Sequence, residues 1–249
     1  MAKQVGIIPL TGTLEGINFY VRDGKPFARK AGGGFNSDAI KNKPKMARVR
    51  ENASEFGHCS SVKKHFRLSL SPFLCIRKDG KLHARMMQLF MKVKTMDRTN
   101  VRGQRRVGEG MATESGKQLL RNFVFTPDCD VFGVLGTTGD YDSALGTYNV
   151  SNFDVKNVCF PEGATHLALT IGLVHFDFET LKQELKLSAP LYLDKDFTGN
   201  SLSLSVDTPS VSGVAVAVLG MKFYAQINGV YYVLKSAKAV GVEVLGVWS

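Results

Sequence analysis

Two apolar runs near the C-terminus, residues 214–227 and 230–234, are separated by the dipeptide Asn228-Gly229. Asn-Gly between such runs specifies a two-residue hairpin, because both central positions of that turn need φ > 0. The chain must therefore build antiparallel sheet, and its neighbours in sequence supply more of it. Leu202, Leu204 and Val206 alternate with serines, the period of a half-buried strand, and Val240, Val242 and Val244 close the chain in the same way. Residues 123–126, 130–135, 155–160 and the long run 166–178 read as further strands, while residues 180–186 read as a short helix. Seven or more short strands between turn signals predict an antiparallel β-sandwich over residues 121–249, Ig-like or jelly-roll in arrangement.

The first 36 residues read as an extended arm. Ile17, Phe19 and Val21 alternate with Asn18, Tyr20 and Arg22, and Asp23-Gly24 then turns the chain into a second extended segment, Lys25-Pro26-Phe27-Ala28-Arg29. This is a hairpin, with Pro26 placing its second strand at a sheet edge because proline has no ladder donor. Gly32-Gly33-Gly34 follow as a flexible joint. From about Pro44 the period lengthens. Val49, Ala53, Phe56, Cys59 and Phe66 recur as on one helix face, and Ser71-Pro72 ends that run. A second apolar face, Leu82, Met86, Leu89, Phe90, Val93 and Met96, is interleaved with Lys81, Arg85, Lys92 and Lys94. Residues 97–118 are polar and glycine-rich, and read as a surface loop or linker. The expected organisation is an arm at 1–36, a basic helical region at 37–120 and a sandwich at 121–249: mainly β with a helical insertion, an α+β class.

Charge divides the chain at the same place. Residues 1–120 carry 24 Lys or Arg against 9 Asp or Glu, a net of +15; residues 121–249 carry 8 against 13, a net of −5. Such asymmetry points to an anionic partner for one half, or to basic and acidic halves of different copies docking together. The candidate contacts are Lys41, Lys43, Lys45, Arg48 and Arg50 at a helix start, Lys63 and Lys64 further along it, and Arg98, Arg102, Arg105 and Arg106 in the loop. Cations of this kind neutralise phosphates without reading sequence. In the arm Phe19, Tyr20, Phe27 and Phe35 lie among Arg22, Lys25, Arg29 and Lys30, so exposed rings there could stack on unpaired bases. Ile17, Phe19, Tyr20, Arg22, Phe27 and Arg29 are also the residues with which an arm would assemble.

Motifs of catalysis do not occur. The sequence has no G-x-S-x-G elbow, no P-loop and no G-x-G-x-x-G unit between strand and helix. Cys59, Cys75, Cys129 and Cys159 form no C-x-x-C pair and read as reduced thiols, small hydrophobes in a core. His58 and His65 stand seven residues apart, about 10 Å along a helix, too far for one metal ion. Asp128/Asp130 and Asp140/Asp142 have metal-like D-x-D spacing without the rest of a calcium loop, and read as turn formers. No catalytic residue, metal or cofactor is therefore expected. The short apolar run from Ile7 to Leu10 does not make a signal peptide, and no stretch reaches the roughly 18 apolar residues of a membrane span. A cytoplasmic or virion location is expected.

Gly6-Ile7-Ile8, Gly12-Thr13, the run from Gly16 to Tyr20, Gly24-Lys25, Ala28-Arg29, the run from Arg48 to Asn52, and Glu55-Phe56-Gly57 together resemble a family of uncharacterised proteins encoded in Bacteroidota genomes, mobile elements and phages. Arg102-Gly103 and the run from Phe160 to His166 extend the likeness over most of the length. The resemblance implies no activity, cofactor or site residue, and its mobile-element setting favours a structural component. The expected role is a non-enzymatic assembly protein, a virion or phage-like particle component that forms a homo-oligomer through its arm. The alternatives are nucleic-acid binding through the basic helices and ligand or carbohydrate binding by the sandwich.

Overall fold

The computed structural model of the protein describes residues 2–4, 10–32 and 37–249. The Gly33-Gly34 part of the joint, Phe35 and Gly6-Ile7-Ile8 lie outside the described residues. The chain forms two compact units, Met1–Ser54 and Glu55–Ser249. The boundary falls inside a helix, at neither 36 nor 120, and residues 55–120 of the expected helical region lie in the second unit with the expected sandwich.

In the first unit, β1 (Ala2–Lys3), β2 (Gly12–Leu14), β3 (Ile17–Arg22) and β4 (Lys25–Lys30) form an antiparallel sheet in the order β1-β4-β3-β2. Both of its tight turns have two left-handed residues: Asp23 and Gly24 at φ +52° and +72°, and Glu15 and Gly16 at φ +44° and +79°. The first was expected; the second escaped notice because Glu-Gly is a weaker turn signal than Asp-Gly. β4 is not an edge strand, since β1 pairs with it at Ala2↔Ala28 and Lys3↔Phe27. Pro26 is accommodated because its carbonyl accepts from Gln4 N (3.2 Å) where β1 ends, so its missing N–H falls at the end of the ladder. α1 (Ser37–Asn42), a 3₁₀ turn (Pro44–Met46) and the start of α2 (Ala47–Ser69) follow.

The second unit continues α2, which stops just before Pro72 enters the first turn of α3 (Ser71–Leu74). α4 (Leu82–Val93), α5 (Val107–Ala112), α6 (Glu114–Arg121) and α7 (Val131–Leu135) complete the helices. The strands are β5 (Asp140–Asp142), β6 (Thr147–Ser151), β7 (His166–Phe176), β8 (Gln183–Leu187), β9 (Leu191–Asp194), β10 (Ser201–Ser205), β11 (Val214–Ile227), β12 (Val230–Val233) and β13 (Val240–Trp248). β7 and β11 pair along eleven positions at the centre of the larger sheet. β8 and β9 share the outer edge of β7, and β12 and β13 share that of β11. β10-β6-β5 form a separate sheet.

Both central strands are buried on both faces, which is why their sequences run apolar without alternating. On one face Val174, Phe176, Val216 and Val218 join a core cluster with Phe66 of α2, Phe90 of α4 and Met111 of α5. On the other, Leu167, Leu169, Ile171, Leu219 and Phe223 join Tyr148 and Val150 of β6 and Leu202 and Leu204 of β10. The fold is thus mixed α+β, with antiparallel sheets and a helical layer. Among the described residues no helix is long and apolar enough to cross a membrane.

Five local expectations change. Residues 130–135 are helix, not strand: the Asp130 carboxylate accepts the Gly133 N–H as N-cap, and Gly136 at φ +68° ends the helix. Residues 155–160 begin as a 3₁₀ turn, with the Asp154 side chain accepting from Lys156 N, and residues 123–126 are irregular. Residues 180–186 are not a helix, because the Asp177 carboxylate accepts from Glu179 N, Thr180 N and the Thr180 hydroxyl while Leu181 adopts φ +60°, a tight turn that feeds β8. Residues 97–118 are no free linker, since α5 lies within them and the loop before it is bonded inward.

Candidate functional site

The strand register sorts the N-terminal sheet into two unlike faces, because residues paired across strands project to the same side. Leu14↔Ile17, Ile17↔Lys30, Phe19↔Ala28 and Val21↔Pro26 define an apolar face with one lysine at its margin. Asn18↔Arg29, Tyr20↔Phe27 and Arg22↔Lys25 define the opposite face, which is aromatic and cationic. None of the side chains of β2, β3 or β4 is buried. Leu14 is 62% exposed, Ile17 44% and Val21 50%, so the apolar face is open to solvent.

On the second face the Tyr20 and Phe27 rings stack with centroids 5.9 Å apart and planes 26° from parallel. The Arg29 guanidinium lies 5.4 Å from the centre of the Tyr20 ring, a cation–π contact. Arg22 pairs with Asp23 at 3.6 Å, an exposed pair that screening leaves weak. All six expected arm residues thus lie on this sheet, Ile17 and Phe19 on one side and Tyr20, Arg22, Phe27 and Arg29 on the other.

The basic helical residues meet different fates. Lys41, Lys43 and Lys45 are exposed. Arg50 donates to the Ile40 and Lys43 carbonyls at 2.7 and 3.1 Å, holding the end of α1, and Arg48 pairs with Glu51 at 3.0 Å. In the second unit Lys64, Arg98, Arg102 and Arg106 are exposed, whereas Lys63 is buried. Arg105 turns inward to Glu55.

The loop that carries these arginines is held by two carboxylates and a histidine. Glu55 accepts from Lys94, Arg105 and the Gly103 N–H. Burial of Lys94, reinforced by the Arg105 and Arg102 guanidiniums, lowers its pKa. Asp97 accepts from the amides of Thr99, Asn100 and Arg106. His58 Nε2 accepts the Val107 N–H at 3.0 Å, and burial followed by the charge of Arg106 lowers its pKa. Glu55 was missed in the sequence because a carboxylate on the buried side of a helix breaks the apolar period, which instead nominated the exposed Phe56.

Among the described residues no group of three His, Cys, Asp or Glu is placed to hold a metal ion. Asp128 pairs with Arg77 at 2.5 Å, Asp130 caps α7, and Asp142 accepts from Ala144 N and Leu145 N in a turn. His65 Nδ1 bonds the Ser61 carbonyl of its own helix. Cys59 and Cys129 are buried, and burial raises both thiols to about 11; Cys75 and Cys159 are exposed. Comparison with protein-family models, with curated proteins and with solved structures found no match.

Proposed function

We propose that this is a non-enzymatic assembly protein that multimerises through the apolar face of its N-terminal sheet. The observation that carries this reading is the exposure of Leu14, Ile17 and Val21 together on one face of a sheet with no buried side chain in β2, β3 or β4. A sheet needs a covered apolar face for stability, and each such side chain moved out of water contributes about 1.5–3 kcal/mol. A second copy presenting the same face supplies that cover symmetrically. The β5–β6–β10 sheet and the β7–β11 sheet gather on one core cluster, and we read them as a β-sandwich body, Ig-like or jelly-roll, that such contacts would repeat. The resemblance to a family carried on mobile elements and phages fits a virion or phage-like particle component. Light scattering across a concentration series tests the reading: the protein should be multimeric and Ile17→Asp with Val21→Asp should make it monomeric. A wild-type monomer at high concentration sinks it.

A second reading, nucleic-acid binding, is favoured by the Tyr20–Phe27 stack with Arg29 against it. Stacked aromatics beside cations suit the faces and phosphates of a single strand. Gel shifts over a salt series test it, with affinity expected to fall steeply as salt rises.

A further inference from the structure

The outward stripe of α2 that begins at Phe56 meets α3 and the start of α4 in a groove of about 710 Å³. That volume is typical of small-ligand sites. Three cations line it, Lys63, Lys64 and Arg67, together with the imidazole of His83 and the serines Ser60, Ser61 and Ser71. No Asp or Glu is among the residues that line it. Its apolar walls include Phe56 and Leu68, which are 54% and 53% exposed.

Lys63 gives the groove its direction. The residue is only 5% exposed, yet among the described residues its polar contact is the His83 ring, with Nζ 2.9 Å from Nδ1 and 3.3 Å from Nε2. A buried ammonium ordinarily has a carboxylate beside it, as Lys94 has Glu55; here the neighbouring charge is the like charge of Arg67. Burial first, and then Arg67, lower the Lys63 pKa. An anion in the groove would relieve both effects.

We propose that this groove binds a phosphate monoester carried on an apolar or aromatic body. Three cations converging without a carboxylate call for more than one negative charge, and a phosphomonoester has between one and two at neutral pH, whereas a carboxylate has one. The Arg67 guanidinium can take two phosphate oxygens side by side, the ammonium groups act as point charges, and serine hydroxyls can donate to the remaining lone pairs. Phe56 and Leu68 would cover the organic part. Its lining residues, from Phe56 to His83, all belong to the second unit.

Calorimetric titration of the full chain with phenyl phosphate tests this, with inorganic phosphate, benzoate and a short oligodeoxynucleotide lacking terminal phosphate as comparisons. Phenyl phosphate should bind most tightly, inorganic phosphate more weakly, and the other two least. Lys64→Gln with Arg67→Gln, both on the exposed rim, should weaken phenyl phosphate by about tenfold for each contact removed. Lys63→Met, which keeps the volume and removes the buried charge, should abolish binding in a folded protein. The proposal is overturned if phenyl phosphate gives no heat at millimolar concentration, if the rim variant binds it as well as the wild type, or if benzoate or the oligonucleotide binds equally well.

Discussion

Glu55 and Arg105, fifty residues apart, form a fork-to-fork ion pair inside the second unit: Arg105 Nε and Nη2 donate to the two carboxylate oxygens at 2.8 and 3.0 Å. Lys94 and the Gly103 N–H complete the carboxylate's partners. One helix position thereby fixes the loop that the sequence presents as an arginine-rich surface loop or linker.

Removing that carboxylate leaves two cations facing each other with no counter-charge, and losing one member of a buried network costs about 3–5 kcal/mol. Glu55→Ala should therefore lower the urea midpoint sharply. Phe56→Ser, next to it but solvent-facing, should change stability by no more than about 0.5 kcal/mol. An equal loss from both substitutions would mean that the helix is turned the other way.

Acid should destabilise the second unit in two stages. The His58 pKa is lowered from 6.5, first by burial and then by Arg106, so the unfolded chain takes up a proton before the folded one does. Its contribution is full above about pH 6.5 and falls as pH drops below that value. Burial pushes the Asp97 carboxyl up, but donors from Arg106, Asn100 and Thr99 outweigh it and hold it at about 2, against an ordinary 3.8. Its contribution, about 2 kcal/mol, is present above pH 4 and lost as pH falls through 2. Equilibrium unfolding across pH should resolve both limbs. His58→Gln, which can still accept the Val107 amide, should remove the upper one, and Asp97→Asn should shrink the lower, to which the lowered carboxyls of Glu184, Asp79 and Asp177 also contribute.

What could be read in advance was whatever is decided by neighbours in sequence. Asp23-Gly24 and Asn228-Gly229 specify their turns within two residues, and both turns form at those positions. The apolar runs of β7 and β11 announce burial on both faces, though not what covers each. The errors have the opposite origin. Residues 130–135 carry strand-like apolar content, but the caps at Asp130 and Gly136 decide for helix, and Asp177 redirects residues 178–182 through its side-chain bonds. Glu55 was out of reach, since its partners lie 39 and 50 residues away. The same holds for the candidate sites. The cations could be counted, but the engagement of Arg105 by Glu55, fifty residues away, and the burial of Lys63 without a carboxylate are properties of long-range packing.

Phe73 of α3 rests on the larger sheet where two glycines face it. A Cβ added at Gly172 would lie 2.5 Å from the ring, and one at Gly220 would also collide with it. Gly220→Ala should cost about 1–3 kcal/mol by overpacking. The loss should shrink when Phe73→Leu makes room, giving a coupling of about 0.5–3 kcal/mol in a double-mutant cycle. Additive losses would place the strain elsewhere.

The two faces of the N-terminal sheet should be separable by mutation, because neighbouring residues on β3 point opposite ways. Ile17→Asp with Val21→Asp puts charge on the apolar face and leaves Tyr20, Phe27 and Arg29 untouched, so it should dissolve multimers while retaining any affinity for a single strand. Tyr20→Ser with Arg29→Gln alters only the other face. It removes a base-stacking ring, worth about 1–3 kcal/mol per base, and one phosphate contact, which should lower the slope of log affinity against log salt by about 0.7. That variant should remain multimeric in light scattering while its gel shift weakens. If both pairs abolish assembly, the sheet acts as one folded element whose loss disrupts everything, and circular dichroism of each variant would register that collapse. If the Tyr20/Arg29 pair leaves nucleic-acid affinity and salt slope unchanged, the aromatic face is not the contact. The exposed cations Lys41, Lys43 and Lys45 are then the next to be replaced.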